Sequence, residues 1–313
     1  MPQTLLLGDP ATRDAAIHGV QASIPHARLL PIGVDRIEVG HLAGDAVHTV
    51  HAVEQYRDDD LFVYDLYVRD AEGNIAERWR GLRLKRVDAV ATAERWPRPL
   101  LGPYLERRLQ ELAPEAKAAI VLCGDGEDNG SPAAARELLG PSADLNHRLD
   151  GKPIIHDGAA VSLAHAGDLT LAVTAAGEAV GCDLEPVAHR EESTWRDLLG
   201  PDRNALAELV AREAGELFDA AATRLWSAGE CLKKAGLPAD APLTLEACEP
   251  DGWVRLRSGG FLVATYLAQT RDAASPLIIA TLTEADPCGH STSDTTSRSK
   301  RPTPLATSTS PTT

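Results

Sequence analysis

Leu169-Thr-Leu-Ala-Val-Thr-Ala175 and Glu178-Ala-Val-Gly-Cys-Asp-Leu184, separated by Ala176-Gly177 and followed by Glu185, are two β-type runs around a glycine break. Aliphatic and β-branched flanks of that kind predict a hairpin. Asp183 and Glu185 then sit two apart at a strand end, where alternate side chains share a face, while Leu184 points the other way into the core. Two carboxylates of one strand suit a hard cation such as Mg²⁺, which takes a few oxygens and keeps several waters. In so acidic a chain, an acidic turn with solvated carboxylates is the competing reading.

From Asp219 to Ala235 the residues Ala222, Leu225, Trp226, Ala228 and Leu232 recur at helical spacing, closed by Gly236 and Pro238. The pattern predicts an amphipathic helix with a glycine stop. Glu230 and Lys234 are four apart on it and face the same way. A surface i,i+4 ion pair worth a few tenths of a kcal/mol, roughly, is the plain interpretation, and Trp226 reads as a core residue.

Four elements occur in order between residues 151 and 234: Gly151-Lys152-Pro153, Ser162-Leu-Ala-His-Ala-Gly167, Gly181-Cys-Asp-Leu-Glu185 and Trp226-Ser-Ala-Gly-Glu-Cys-Leu-Lys-Lys234. This ordered set resembles the Sfp-type 4′-phosphopantetheinyl transferases, whose two signatures run Gly-[Val/Ile]-Asp-x-Glu and Trp-[Ser/Thr]-x-Lys-Glu-[Ala/Ser]-x-x-Lys. The resemblance implies an α+β domain of two pseudo-symmetric halves with coenzyme A in the cleft between them. It also implies Mg²⁺ held by Asp183, Glu185 and Glu230, and transfer of the phosphopantetheine arm of coenzyme A to a serine of an acyl carrier protein. Glu230 is then the general base, Lys234 binds the pyrophosphate, and Lys152 and His165 meet coenzyme A, the histidine at its 3′-phosphate. Taken alone, a single histidine after a strand reads as a satisfied turn or core residue. Two positions depart from the pattern. Gly229 stands where the signature has lysine, and Ala164 replaces a small hydroxyl residue.

The N-terminal third reads differently. Asp9 to Gln21 predicts a helix, followed by β-type runs at Arg36–Val39, Ala46–Val53, Leu61–Val68 and Trp79–Val87, with turns at Asp58–Asp60 and Glu72–Asn74. Alternation over several runs predicts an antiparallel sheet. The helix with its Asp14-Ala-Ala-Ile-His18 segment, followed by Leu29-Leu-Pro-Ile-Gly33, is similar to the second hot-dog half of polyketide synthase dehydratase domains. Asp14 matches the catalytic aspartate there, and a plain surface acid in the first turns of a helix is the alternative. The histidine such an enzyme needs belongs to a first half that does not precede Met1, so dehydration would need a partner chain. A dehydratase-like half ahead of a transferase resembles the carboxy end of enediyne-type iterative polyketide synthases.

Composition divides the 313 residues into a dehydratase-like half at 1–92, an Arg- and Pro-rich linker at 93–103, a transferase domain at 104–285 opening on a helix from Tyr104 to Leu112, and a Ser/Thr/Pro-rich disordered tail at 286–313. Gly124 to Gly130 lacks the Gly-Lys-Ser ending of a phosphate loop. The net charge of −15 leaves no footprint for nucleic acid. An acidic carrier would need a local basic patch, for which Arg203, Arg212 and Arg224 are the candidates. Five scattered cysteines without a C-x-x-C read as reduced small hydrophobes. Leu5-Leu-Leu is too short for a signal or a membrane span, which leaves the cytoplasm. A non-catalytic docking fragment of a synthase and a dehydratase subunit acting in trans stand as alternatives to the transferase. A half hot-dog would also expose a sheet edge suited to dimerisation.

Overall fold

A computed structural model of the chain describes residues 10–40, 48–89, 95–113, 116–122, 130–140, 142, 145–147, 153–155, 160–175, 179–271 and 273–285. The architecture is α+β with antiparallel sheets. Lys152, the 124–129 segment and the 286–313 tail lie outside the described residues.

Helix α1 (Pro10–Gln21) precedes β1 (Ala27–Gly33), β2 (Arg36–Val39), β3 (Thr49–Asp58), β4 (Leu61–Arg69) and β5 (Ile75–Ala89). These strands form one antiparallel sheet in the order β1-β5-β4-β3, with β2 also on β5. Its buried face carries Phe62, Tyr64 and Leu66 of β4 and Trp79, Leu82 and Leu84 of β5, packed with Val20 and Ile24 from the end of α1 and the turn beyond it. Arg13 fastens the helix to this face by donating to buried Glu77 at 2.7 Å, and Trp79 Nε1 shares the same carboxylate at 2.9 Å. Gly81, at φ +62°, breaks the period of β5. A side chain there would strike Asp35. The shift lets the first part of β5 pair with β2 and the last part with β1. The Asp58–Asp60 turn places Asp59 at φ +47°, a conformation Asp tolerates better than most residues.

Helix α2 (Arg98–Leu112) overturns the linker expectation. It begins six residues ahead of Tyr104, with Pro97 at its N-cap and Pro99 in its first turn, where a missing N–H costs nothing. Trp96, just before it, is 3% exposed and stacks on Tyr104 at 4.5 Å between ring centroids. Trp96 Nε1 donates to Tyr266 Oη at 2.8 Å, and Trp253 Nε1 to Tyr104 Oη at 3.0 Å. The opposite side of α2 meets the N-terminal sheet through Arg107, which binds Glu54 of β3 at 2.6 and 3.1 Å, and through Glu111, which accepts from Arg57 at 3.0 Å.

Two further sheets follow. Strands β6 (Ala116–Leu122), β9 (Val161–Ala166) and β10 (Leu169–Ala175) form one in the order β6-β10-β9, flanked by α3 (Ser131–Leu139) and by the small pair β7 (Leu145–His147) and β8 (Pro153–Ile155). The other runs β11 (Gly181–Pro186), β15 (Leu277–Glu284), β14 (Phe261–Ala268), β13 (Trp253–Ser258), β12 (Thr244–Cys248), and is covered by α4 (Glu192–Ala214) and α5 (Phe218–Lys234). The hairpin expected across Ala176-Gly177 is therefore corrected. The two runs are strands, but β10 pairs with β9 through the Gly167-Asp168 turn, and β11 pairs with β15. What joins β11 to the first sheet is a side chain: Ser162 Oγ accepts from the Cys182 amide at 2.9 Å. No helix among the described residues is long and apolar enough to cross a membrane.

Trp96→Ala is expected to cost about 3–5 kcal/mol, as truncation of a buried aromatic does, whereas a linker tryptophan would cost almost nothing. Urea unfolding of the variant against the parent chain measures the difference.

Candidate active site

The two signature segments meet because β11 approaches α5 closely. A Cβ on Gly181 would stand 2.2 Å from the Cys231 carbonyl oxygen, so only glycine fits where the strand crosses the helix. Small buried residues on α5, Ala221, Ala228 and Cys231, extend the same close fit. Asp183, two residues along β11, is 5% exposed. Its Oδ1 accepts from Lys234 Nζ at 2.9 Å, and the same ammonium donates to the Cys182 carbonyl at 2.9 Å. Asp183 Oδ2 is buried without a hydrogen-bond partner among the described residues. Leu184 enters the core on the other side, as alternation requires.

This geometry replaces the expected Glu230–Lys234 surface pair. Lys234 turns inward to the buried carboxylate, and Glu230 is left with Lys233 at 3.4 Å, three residues on. Burial alone would lower the Lys234 pKa. The Asp183 charge and hydrogen bond reverse that and hold it above the usual lysine value. Glu185 lies on the same face as Asp183 and is half-buried. Its pKa is raised, first by burial, then by the Asp183 charge and further by Glu230, against a hydrogen bond from Trp226 and the Lys234 charge. Asp183, Glu185, Glu230 and Lys234 thus share one electrostatic neighbourhood, and Trp226 belongs to it through Glu185.

A divalent cation fits this neighbourhood in charge: three carboxylates stand against the ammonium groups of Lys234 and the exposed Lys233, and one buried carboxylate oxygen is unsatisfied. Among the described residues, no three His, Cys, Asp or Glu side chains converge closely enough to hold one ion as they stand. Glu230, tied only to exposed Lys233, is the ligand that would have to turn.

The remaining candidates stand elsewhere. His165 is on β9 in the other sheet, its Nδ1 3.0 Å from Thr170 Oγ1 and its Nε2 3.3 Å from Ser131 Oγ at the start of α3. Asp14 lies on the exposed side of α1, its side chain 70% accessible and 3.3 Å from His18 Nδ1, the arrangement of a helix-surface acid. Arg224 is not a docking residue: it is 1% exposed, binds Glu216 at 2.8 and 2.9 Å and donates to the Thr265 carbonyl. The thiols of Cys182 and Cys231 are buried with raised pKa values, that of Cys182 pushed up to about 12, so both act as small hydrophobes. The roles of Gly181 as a contact point and of Ser162 as a strand clasp escaped sequence reasoning. Each depends on which element packs behind the residue.

Residues 2–94 match the family model described as the polyketide synthase dehydratase N-terminal domain. The match covers α1 and the whole β1–β5 sheet, ending just before Trp96. It agrees with a dehydratase reading of this region, but its description names the N-terminal domain where the sequence reading was of the second half, and it says nothing of the β11–α5 site. A search of curated proteins finds no match to the chain.

Lys234→Ala strands a buried carboxylate without its counter-ion and is expected to destabilise the fold by about 3 kcal/mol, with Asp183→Asn added to it recovering part of the loss in urea titrations. Glu185 provides a second check. Its folded pKa lies above the unfolded value, so its ionised form opposes folding at neutral pH and the opposition fades as the carboxyl protonates. Glu185→Gln should therefore be more stable than the parent at neutral pH, an advantage that shrinks as pH falls through the raised pKa.

Proposed function

We propose that the chain is a phosphopantetheinyl transferase that moves the 4′-phosphopantetheine arm of coenzyme A onto a serine of an apo acyl carrier protein within polyketide assembly. The observation that carries this reading is the inward turn of Lys234 onto Asp183, which joins the Gly-Cys-Asp-Leu-Glu strand to the Trp-Ser-Ala-Gly-Glu helix and sets Glu185 and Glu230 beside the pair. In the reaction the serine Oγ–P bond forms, the P–O bond to the pyrophosphate leaving oxygen breaks, 3′,5′-ADP leaves, and the serine proton passes to a base. Glu230 is that base: its side chain is 26% exposed against 7% for Asp183, and its ion-pair partner is the exposed Lys233. Asp183, Glu185 and Glu230 would hold Mg²⁺, which when bound supplies charge neutralisation to the phosphoryl oxygens. Lys234 pairs with Asp183 and adds a point charge on the same wall. His165, on β9 of the other sheet, and Lys152 are further coenzyme A contacts in this reading.

The match of residues 2–94 favours a second reading for the N-terminal sheet, that of a dehydratase-derived half serving a synthase in trans or as a scaffold. Which half of that fold it supplies is part of the same reading. The exposure of Asp14 supports the scaffold role over the catalytic one.

Incubation of the chain with apo carrier proteins, coenzyme A and Mg²⁺ should add the phosphopantetheine mass to the carrier serine. Asp183→Ala should abolish the addition and Asp14→Asn leave it unchanged. Absence of the mass shift across several polyketide carriers would overturn the transferase reading.

A further inference from the structure

Helix α4 is interrupted where Gly200 takes φ 71° and ψ 171° and Pro201 follows. Between this kink and α5 lies a cavity of about 480 Å³, walled by Leu198, Pro201, Arg203, Trp226, Gly229 and Glu230. Trp226, Gly229 and Glu230 are spaced i, i+3, i+4, so one face of α5 forms the wall and Glu230 is common to the cavity and the acid site. Gly229 contributes no side chain, and the space one would occupy is filled from α4. A Cβ built on Gly229 would stand 2.6 Å from Arg203 Nη1.

Arg203 is held by its other amino group, Nη2 donating to the carbonyls of Ala239 at 2.5 Å and Ala241 at 3.0 Å. Those two bonds fix the guanidinium and use only one of its nitrogens. Among the described residues no carboxylate forms an ion pair with it. Burial lowers its pKa, against the charge of Asp240, which acts on it only through space. Asp202 and Asp240 also line the cavity, but both are exposed, where water screens them, whereas Arg203 is half-buried.

We propose that Arg203 is the anion-binding side chain of this cavity and receives a phosphate group of the organic phosphate ester on which Glu230 acts. The inference rests on the transferase reading for the identity of that ester. It makes the glycine at position 229 one half of an exchange: the positive charge that α5 lacks at this position is supplied across the cavity from α4. A guanidinium with unspent donors suits phosphate oxygens better than a lysine reaching from α5 would, because it can engage two oxygens at once.

The test is a reciprocal exchange, read as binding of coenzyme A by calorimetry and not as activity. Arg203→Ala should weaken binding roughly tenfold or more, as loss of a charge-assisted hydrogen bond does. Gly229→Lys alone should also weaken it, since the new side chain meets the guanidinium. Combined, the two substitutions should restore affinity toward that of the parent, because the lysine enters the vacated space with the same charge. A purely structural Arg203, needed only by the Ala239 and Ala241 carbonyls, gains nothing from a lysine at 229, so failure of the double variant to recover overturns the proposal, as does unchanged affinity in Arg203→Ala. If the parent chain binds inorganic pyrophosphate in an Arg203-dependent way but not coenzyme A, the anion site stands and the transferase reading falls. If it binds neither, both fall.

Discussion

The contact between Gly181 and the Cys231 carbonyl is the constraint from which the rest of the C-terminal site follows. Because the strand backbone lies directly on the helix backbone, the side chains that flank the crossing are forced into one another's company. Lys234 emerges a turn beyond Cys231 and meets the strand at Cys182 and Asp183. A larger residue at 181 would lift β11 from α5 and separate the ammonium from its carboxylate. Withdrawing such a pair from water is costly in itself, and it is tolerable here because the ammonium also satisfies a strand carbonyl and keeps a third of its surface in solvent.

A second element ties the chain together from the other direction. Helix α2 has an aromatic side, where Tyr104 packs among Trp96, Trp253 and Tyr266, and an ionic side facing the N-terminal sheet. On the ionic side Glu111 accepts from Arg57 and Arg108 and lies 3.8 Å from Arg86. His26, 4.0 Å from the same carboxylate, has its pKa lowered to about 4 by burial, with Arg108 and Arg86 adding to the effect against Glu111. It is therefore neutral at ordinary pH and leaves the Glu111 charge to the arginines. Arg108 in turn reaches Asp251 at 2.7 Å, beyond β12, so one helix couples the sheet matched to the dehydratase family with the sheet that carries Asp183.

Much of the element content was legible in the sequence. The β-runs around 36–39, 61–68, 79–87, 169–175 and 181–184 and the helix ending before Gly236 all appear, because period-2 and period-3.6 patterns record which face is buried. Partnership was not legible. Ala176-Gly177 resembles hairpin punctuation, yet β11 takes β15 as its neighbour, a choice made by the shapes of two sheets and invisible in a local window. The 93–103 segment reads as a linker by its Arg and Pro content, although prolines also start helices and the decisive residue there is a buried tryptophan. The Glu230–Lys234 spacing was right and its interpretation incomplete: local geometry offers an i,i+4 pair worth tenths of a kcal/mol, and a buried carboxylate on another element outbids it. Asp183 and Glu185 share a face because alternate residues of a strand do, whereas the approach of Glu230 is decided by how α5 packs on β11.

The state of Glu185 separates a structural from a functional account of this cluster. If Asp183 and Lys234 existed only to fasten β11 to α5, the pair would be complete with one acid and one base, and a neutral residue at 185 would serve the fold better. Instead a second carboxylate stands half-buried beside the first, its ionisation opposed by burial and by two neighbouring acids. A fold retains such an arrangement against its own stability when the excess negative charge has a use, and an acid perturbed by burial and a specific charged neighbour is a recognised sign of one. The unsatisfied Oδ2 of Asp183 points the same way, since a buried carboxylate oxygen without a donor lowers stability unless something else approaches it. With Lys233 and Lys234 set against Asp183, Glu185 and Glu230, the cluster keeps one negative charge in excess, and that excess is what a purely structural pair would not need.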